Sequence, residues 1–155
     1  MTLKLPASVL VLVHTAEREV LLLERRRRPG FWQSVTGSLD RMDEPALEAA
    51  RREVREETGI EARPQDLKRW SLAYTFEVFP EWRHRFAPGT THNTEQVFSL
   101  ELPARVAVRL APAEHMASQW LPWRDAAAAC FSWSNRDVIR ILGSAPDLSR
   151  IPCVP

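Results

Sequence analysis

The chain has 155 residues, 45% of them hydrophobic, which suits one domain with its own core. Lys and Arg number 21 against 20 Asp and Glu, so the formal net charge is +1, and this near balance excludes the broad basic surface that grips long nucleic acid. Its apolar runs fall short of the ~20 residues that span a bilayer, and Cys130 and Cys153 lack a metal-ligand spacing. We therefore expect a soluble cytoplasmic protein.

The amino-terminal part predicts three strands. Residues 8–13 and 20–23 are short, apolar and β-branched, and the polar turn between them predicts a hairpin. Pro29-Gly30 breaks the chain, and residues 34–36 form a further short strand that ends at Gly37.

The segment 44–58 predicts an amphipathic helix, because its apolar residues recur at spacings of three and four. Those residues are Leu47, Ala50 and Val54. Asp43 is the predicted N-cap, Pro45 falls in the first turn and Gly59 follows the last turn.

The remaining segments predict strands at 72–79, 96–102 and 120–121, and helices at 123–131 and 135–142. Between the first two of these strands lies a loop, 80–93, which is long enough to be a substrate lid or wall. The tail, 144–155, has no periodicity and is predicted to be mobile, which leaves one domain over 1–143. The pattern is that of a mixed sheet with helices packed on it, an α/β sandwich.

Three carboxylates on the first helix are the strongest chemical signal. Glu53, Glu56 and Glu57 are three or four residues apart or adjacent, so one turn of helix places them together. Mg²⁺ prefers such oxygen ligands, combined with water and substrate phosphates. Taken alone, the same string is also typical of an exposed, charged helix.

The context of these carboxylates resembles the Nudix box, a loop–helix–loop of fixed spacing. Gly37 and Glu44 precede seven residues, Arg52-Glu53 follows, and Gly59-Ile60 closes the segment. Six residues rather than five separate Gly37 from Glu44. Either the loop carries an additional residue or Asp43 takes the place of the glutamate, and we prefer the former because it keeps the helix spacing.

The resemblance implies a Nudix-type α/β/α sandwich with a mixed β-sheet (α/β, or α+β), and a hydrolase that uses Mg²⁺, or Mn²⁺, to direct water at a phosphoanhydride. Glu53 and Glu57 carry over as metal ligands, and Glu56 as either a third ligand or the base. Glu114 is expected to complete the metal site, with Glu95 as the competing candidate. We interpret His115 as structural.

Stretches outside the box narrow the resemblance to a bacterial Nudix subfamily that hydrolyses dihydroneopterin triphosphate to the monophosphate and pyrophosphate in folate biosynthesis. Its members are often labelled dATP pyrophosphohydrolases. The stretches are 31–38, 83–89, 93–95 and 132–136. The positions implied to bind substrate are Lys4, Arg25, Thr36, Phe76, Glu77, Val78, Phe79 and Ser132.

Two other interpretations stay open. A (d)NTP pyrophosphohydrolase acting on dATP or 8-oxo-dGTP would use the same helix with a different base pocket. A catalytically silent, nucleotide-binding regulatory domain is less favoured, because all three box glutamates are present. In each case the partner is a small-molecule triphosphate, with no long nucleic acid and no membrane, and the oligomeric state is not readable.

Overall fold

The computed structural model describes residues 2–155, in which one seven-stranded mixed sheet lies between helices. The strands are β1 (Ala7–Thr15), β2 (Glu19–Arg25), β3 (Trp32–Gln33), β4 (Val35–Ser38), β5 (Leu67–Glu77), β6 (His92–Leu102) and β7 (His115–Pro122). The α-helices are α1 (Ala46–Thr58), α2 (Trp123–Ala129) and α3 (Trp133–Ser144). Short 3₁₀ turns lie at Pro64–Asp66, Pro80–Arg85 and Leu148–Arg150.

The sheet runs in the order β3-β2-β1-β6-β5, with β4 also paired to β1 and β7 to β2. Only the β1–β6 pair is parallel among the strand pairs of the described residues. The predicted hairpin is confirmed only at its turn, where His14 lies opposite Val20. Beyond the turn the two strands separate, and β1 is bordered by β4 and β6 instead.

Each face of the sheet carries its own core, because alternate residues of a strand point to opposite faces. Val9, Val11 and Val13 of β1 pack with α1 on one face. Leu10 and Leu12 pack with α2 and α3 on the other. Helices therefore cover both faces, which confirms the predicted α/β/α sandwich.

The first helix begins two residues later than predicted. Its N-cap is Pro45, with extended ψ of 133° and no side-chain cap, so the predicted capping by Asp43 is wrong. Glu44 cannot join the helix because a residue that precedes proline is driven out of the α region. Asp43 pairs with Arg41 instead.

The other strands are longer than predicted, and the loop between β5 and β6 contains the Pro80–Arg85 turn. The tail lies against β5: the Ser71 N–H donates to the Pro152 carbonyl (2.8 Å), the Val154 N–H donates to the Arg69 carbonyl (2.8 Å), and Ile151 is buried. The tail is thus hydrogen-bonded to the sheet, and its mobility stays a prediction. Within residues 2–155, no helix is both long and apolar enough to cross a bilayer.

Candidate active site

Helix α1 presents its carboxylates towards the sheet because its apolar stripe fixes its rotation. Ala50 and Val54 are fully buried against the core that includes Val35 of β4. Gly59 ends the helix in the left-handed region (φ 76°), a conformation that glycine adopts without strain. Glu53 and Glu57 are buried as a result, whereas Glu56 on the neighbouring position is exposed.

Arg52 is the centre of a charged network at the start of the helix. Its guanidinium donates to Glu53 (2.6 Å), to Glu44 (3.2 Å) and to the Ser38 carbonyl (3.1 Å). It also lies 3.3 Å from Asp40. Glu44 therefore pairs with Arg52, which lies eight residues later in the chain. This pairing agrees with an additional residue in the loop before Glu44 and not with a shifted helix register.

Gly37 allows the buried carboxylate of Glu53 to lie directly against β4. A Cβ at position 37 would be 1.9 Å from the Glu53 Cδ and 2.1 Å from its Oε1. No side chain fits at that separation. The glycine is therefore required by the position of a functional side chain rather than by a turn.

A second group of side chains lies around Glu57, one turn of α1 after Glu53. Glu57, Glu114 and His115 each offer one atom that could bind a metal, and these three atoms lie within 4.8 Å of one another. Strand pairing assembles this group, because His115 begins β7 opposite Arg25 of β2. The Arg26 N–H, just beyond β2, donates to the Glu114 carbonyl (2.8 Å) and holds that residue over the helix.

The two buried helix carboxylates differ from ordinary glutamates in charge state. Burial raises the pKa of Glu53 to about 7, although Arg52 opposes the shift. Burial and the charges of Glu53 and Glu114 raise the pKa of Glu57 well above its usual range. Oε2 of Glu57 is buried without a hydrogen-bond partner in the described chain. Buried like charges of this kind are stabilised by a cation, so these residues fit a divalent metal.

Three cationic side chains border the carboxylates. Burial and the charges of Arg85 and Arg25 lower the pKa of Lys4, while Glu114 and Glu53 raise it. The main chain holds this arrangement, since the Lys4 N–H donates to the Arg85 carbonyl (2.7 Å). Arg25 is fixed from the side by a hydrogen bond to Gln33 (3.1 Å). Cations that crowd together beside carboxylates suit a polyphosphate bridged to a metal.

An aromatic wall continues from Arg25 away from the carboxylates. Its members are Phe31, Phe79, Trp82 and Phe131. Phe31 stacks on Phe131 (4.7 Å between ring centres), and Trp82 meets Phe79 edge-on (5.0 Å). The Arg25 guanidinium lies 4.9 Å from the centre of the Trp82 ring, so the wall and the cations are one continuous surface.

The NUDIX domain family matches residues 4–142 of the chain. The chain belongs to the NUDIX family. It is 45% identical over 139 residues to the dihydroneopterin triphosphate diphosphatase of Escherichia coli (strain K12), which covers 88% of this chain and 91% of the relative. The enzyme of the same name from Haemophilus influenzae is 32% identical over 136 residues, 86% of this chain and 84% of the relative. The structure of the E. coli dihydroneopterin triphosphate pyrophosphohydrolase superposes with a TM-score of 0.83 at 43% identity, over 90% of this chain and 96% of that one.

NUDIX hydrolases generally use divalent metals, and the structure brings together most of the residues expected to hold one. The carboxylate of Glu57 lies within 4.8 Å of that of Glu114, and the charge of Glu53 also acts on Glu57. Glu95 lies apart from them: it is buried beside Ser8, and burial raises its pKa to about 7. Glu114 rather than Glu95 therefore faces the NUDIX helix.

Besides Lys4 and Arg25, six positions were expected to bind substrate. Three of them are Thr36, Ser132 and Phe79. Thr36 lies beside the carboxylates, since its hydroxyl accepts from Gln33 (3.2 Å) and its main chain lowers the pKa of Glu57. Ser132 caps α3 by accepting from the Asn135 N–H (3.4 Å). Phe79 belongs to the aromatic wall and is exposed.

The other three positions are engaged within the protein. Phe76 packs against the core beneath α2 and α3. Glu77 is paired with Arg83. Val78 is buried; its N–H donates to the Thr91 carbonyl (2.8 Å), and its carbonyl accepts from Arg83 (3.1 Å).

Three residues beside the carboxylates or the cations were not predicted as site residues: Arg85 and Trp82 were not named individually, and His115 was interpreted as structural. The first two lie in the long loop, whose length was the available signal. His115 follows Glu114 directly, and adjacent residues of a strand point to opposite faces. Here Glu114 lies in the turn before β7, so both side chains reach the same place.

Proposed function

We propose that this NUDIX protein is a Mg²⁺-dependent pyrophosphohydrolase of dihydroneopterin triphosphate, with Mn²⁺ as an alternative cation. The observation that carries the proposal is the proximity of two oppositely charged groups: burial and the charge of Arg85 lower the pKa of Lys4 and Arg25, and the carboxylates on and beside α1 act to raise the pKa of both. A triphosphate bound through a metal bridges two such groups. The 45% identity to the E. coli enzyme supports the choice of substrate.

Glu53, Glu57 and Glu114 would hold the cation, and the orphaned Oε2 of Glu57 is the atom that most needs one. A bound divalent cation offsets phosphate charge and lowers the pKa of the water that it binds. The residues of the chain set where that happens. Arg52 keeps Glu53 in place, and the close approach at Gly37 brings that carboxylate against β4.

Lys4, Arg25 and Arg85 would hold the phosphates by charge-assisted hydrogen bonds. Glu56 is the exposed carboxylate of the box, and we assign it the role of accepting the proton of the attacking water. The water oxygen forms a bond to phosphorus and the α–β anhydride bond breaks. Pyrophosphate leaves, and dihydroneopterin monophosphate remains.

The heterocycle would lie against the aromatic wall. A pterin is flat with a polar edge, so it needs a stacking surface and a few placed polar groups. Phe79, Trp82 and Phe131 supply the surface. Thr36 and Ser132 would supply hydroxyls to its polar edge.

The test is paired kinetics on dihydroneopterin triphosphate, dATP and 8-oxo-dGTP in one buffer at one Mg²⁺ concentration. We expect kcat/KM for the pterin to exceed that for dATP by at least about tenfold, roughly 1.4 kcal/mol of transition-state binding, because a site that hydrogen-bonds one heterocycle leaves polar groups unpaired with another. EDTA should abolish activity, and Mg²⁺ or Mn²⁺ should restore it. Equal or faster turnover of either nucleotide would replace this substrate with a dNTP. Absence of turnover on all three with metal would favour the regulatory domain.

A further inference from the structure

His115 is the one member of the metal-facing group that the proposed function leaves without a role. It is buried, with 2% of its surface exposed, at the first position of β7. One of its ring nitrogens lies within 4.8 Å of carboxylate oxygens of both Glu57 and Glu114. Its position is therefore inside the site and not behind it.

Two buried polar atoms of this group have no hydrogen-bond partner in residues 2–155: Nδ1 of His115 and Oε2 of Glu57. Buried polar atoms are nearly always paired. A histidine that served only to orient Glu57 would be expected to donate to it, yet each side chain keeps an unpaired atom although the two groups are neighbours. Both atoms are therefore available to bind a ligand that the chain itself does not supply.

His14 shows what a structural histidine looks like in the same chain. It is equally buried, at 2% exposure, and its Nδ1 lies 2.8 Å from the Thr15 carbonyl oxygen. The ring is therefore satisfied by the main chain. His115 has no such bond among the residues described, and its neighbours are carboxylates.

We propose that His115 is a nitrogen ligand of the cation that Glu57 and Glu114 hold, which makes the site a mixed oxygen and nitrogen site. This inference rests on the proposed function. A neutral imidazole ring is a common metal ligand and binds through either of its nitrogens. Imidazole suits transition metals more than Mg²⁺, so the ring raises the affinity for Mn²⁺ relative to Mg²⁺.

The direct test is electron-spin-echo spectroscopy of the full-length wild-type protein with Mn²⁺ and no substrate. A coordinated imidazole gives a ¹⁴N modulation, which we expect in the wild-type protein and in His14→Gln, and not in His115→Gln. His14→Gln is the matched control because it removes an equally buried ring from another part of the sheet. Absence of the ¹⁴N signal from the wild-type protein overturns the proposal, and that result needs no variant to fold.

Calorimetric titration gives the second readout. His115→Gln should weaken Mn²⁺ binding by about tenfold or more and change Mg²⁺ binding much less. Equal loss for both metals, or no loss, overturns the nitrogen ligand. Glu57→Gln separates the two proposals: if it abolishes Mn²⁺ binding while His115→Gln leaves it unchanged, the metal site stands and His115 is structural. If the wild-type protein binds neither metal, both proposals fail.

Discussion

Two clusters of carboxylates lie on the same helix segment and differ in how their charge is neutralised. Around Arg52, four carboxylates share a guanidinium: Asp40, Glu44, Glu53 and Glu56. At Glu44, burial alone would raise the pKa, but its hydrogen bonds with Arg52 and the Asp40 main chain outweigh burial and lower it. At Glu57 the pKa is raised instead, because burial and the charges of Glu53 and Glu114 outweigh the opposing charge of Arg25.

The two clusters therefore have different roles, one in holding the fold and the other in the candidate site. The cluster at Arg52 is complete with the residues of the chain, so it fixes the loop and the helix start. The cluster at Glu57 keeps an unpaired buried oxygen among the residues described, and it gains stability only when a cation arrives. Glu53 lies between the two clusters: burial, together with the charges of Glu56 and Glu114, raises its pKa in spite of its contact with Arg52.

The largest expected effect comes from Glu57→Gln. We expect kcat to fall by at least about a thousandfold, some 4 kcal/mol, because a metal-facing carboxylate is lost. The metal-free variant should be no less stable than the wild-type protein, because the ionised form of Glu57 is disfavoured by its surroundings. Steady-state kinetics and thermal unfolding in EDTA measure both. The exposed Glu48→Gln on the same helix is the control, and retained turnover in Glu57→Gln would contradict the assignment.

Arg52→Ala should show the opposite pattern, a loss of stability. Removing the shared cation leaves Glu44 and Glu53 without their partner, and breaking a buried ion pair costs about 3–5 kcal/mol. Arg52 retains 17% side-chain exposure, so we expect about 2 kcal/mol in denaturant unfolding. Arg55→Ala, which removes an exposed arginine of the same helix, should stay within about 0.5 kcal/mol. Equal effects of the two changes would show that the Arg52 cluster contributes little.

Glu95 tests whether burial alone explains a raised pKa. It is buried beside Ser8, apart from both clusters, with a pKa of about 7. Because the folded pKa exceeds the unfolded one, the folded state holds the proton between about pH 4.5 and 7, and stability is lost as pH rises through that window. Glu95→Gln removes the titration, so its stability relative to wild type should rise by about 2 kcal/mol from pH 5 to pH 8.

Urea unfolding at the two pH values measures this difference. The control is Glu101→Gln, an exposed carboxylate of the same strand, whose stability relative to wild type should stay constant. A constant difference for Glu95→Gln as well would mean that Glu95 titrates normally in the folded protein.

The smallest expected effect is on the binding of the substrate's phosphates. Arg25→Ala should raise KM by about tenfold with a smaller change in kcat, because a residue that holds substrate and transition state equally affects KM alone. Arg27→Ala changes an exposed neighbour and should leave both constants unaltered. If kcat falls in proportion instead, Arg25 acts on the transition state and belongs with the carboxylates.

The sequence predicted the helix that carries Glu53, Glu56 and Glu57, because helical periodicity is a local signal; in the structure Glu53 and Glu57 are buried and Glu56 is exposed. It also predicted the sandwich, since alternation and helical spacing are local signals. His115 and Arg85 were missed as site residues because only pairing between distant strands and the path of a long loop bring them near Glu57 and Lys4. Asp43 was misassigned as a cap because the effect of Pro45 on its preceding residue was not weighed.

The attachment of the tail to β5 has a consequence for association between molecules. β5 ends the strand order of the sheet, and an edge strand with open backbone groups is a template for pairing with another chain. The bonds from Ser71 and to Arg69 occupy two of those groups, at the point where the register between β5 and β6 shifts. A bulge and a covering segment at one place both discourage edge-to-edge pairing. Residues 151–155 thereby cover part of this edge, and removing them would leave the backbone of β5 on either side of Trp70 open to pairing.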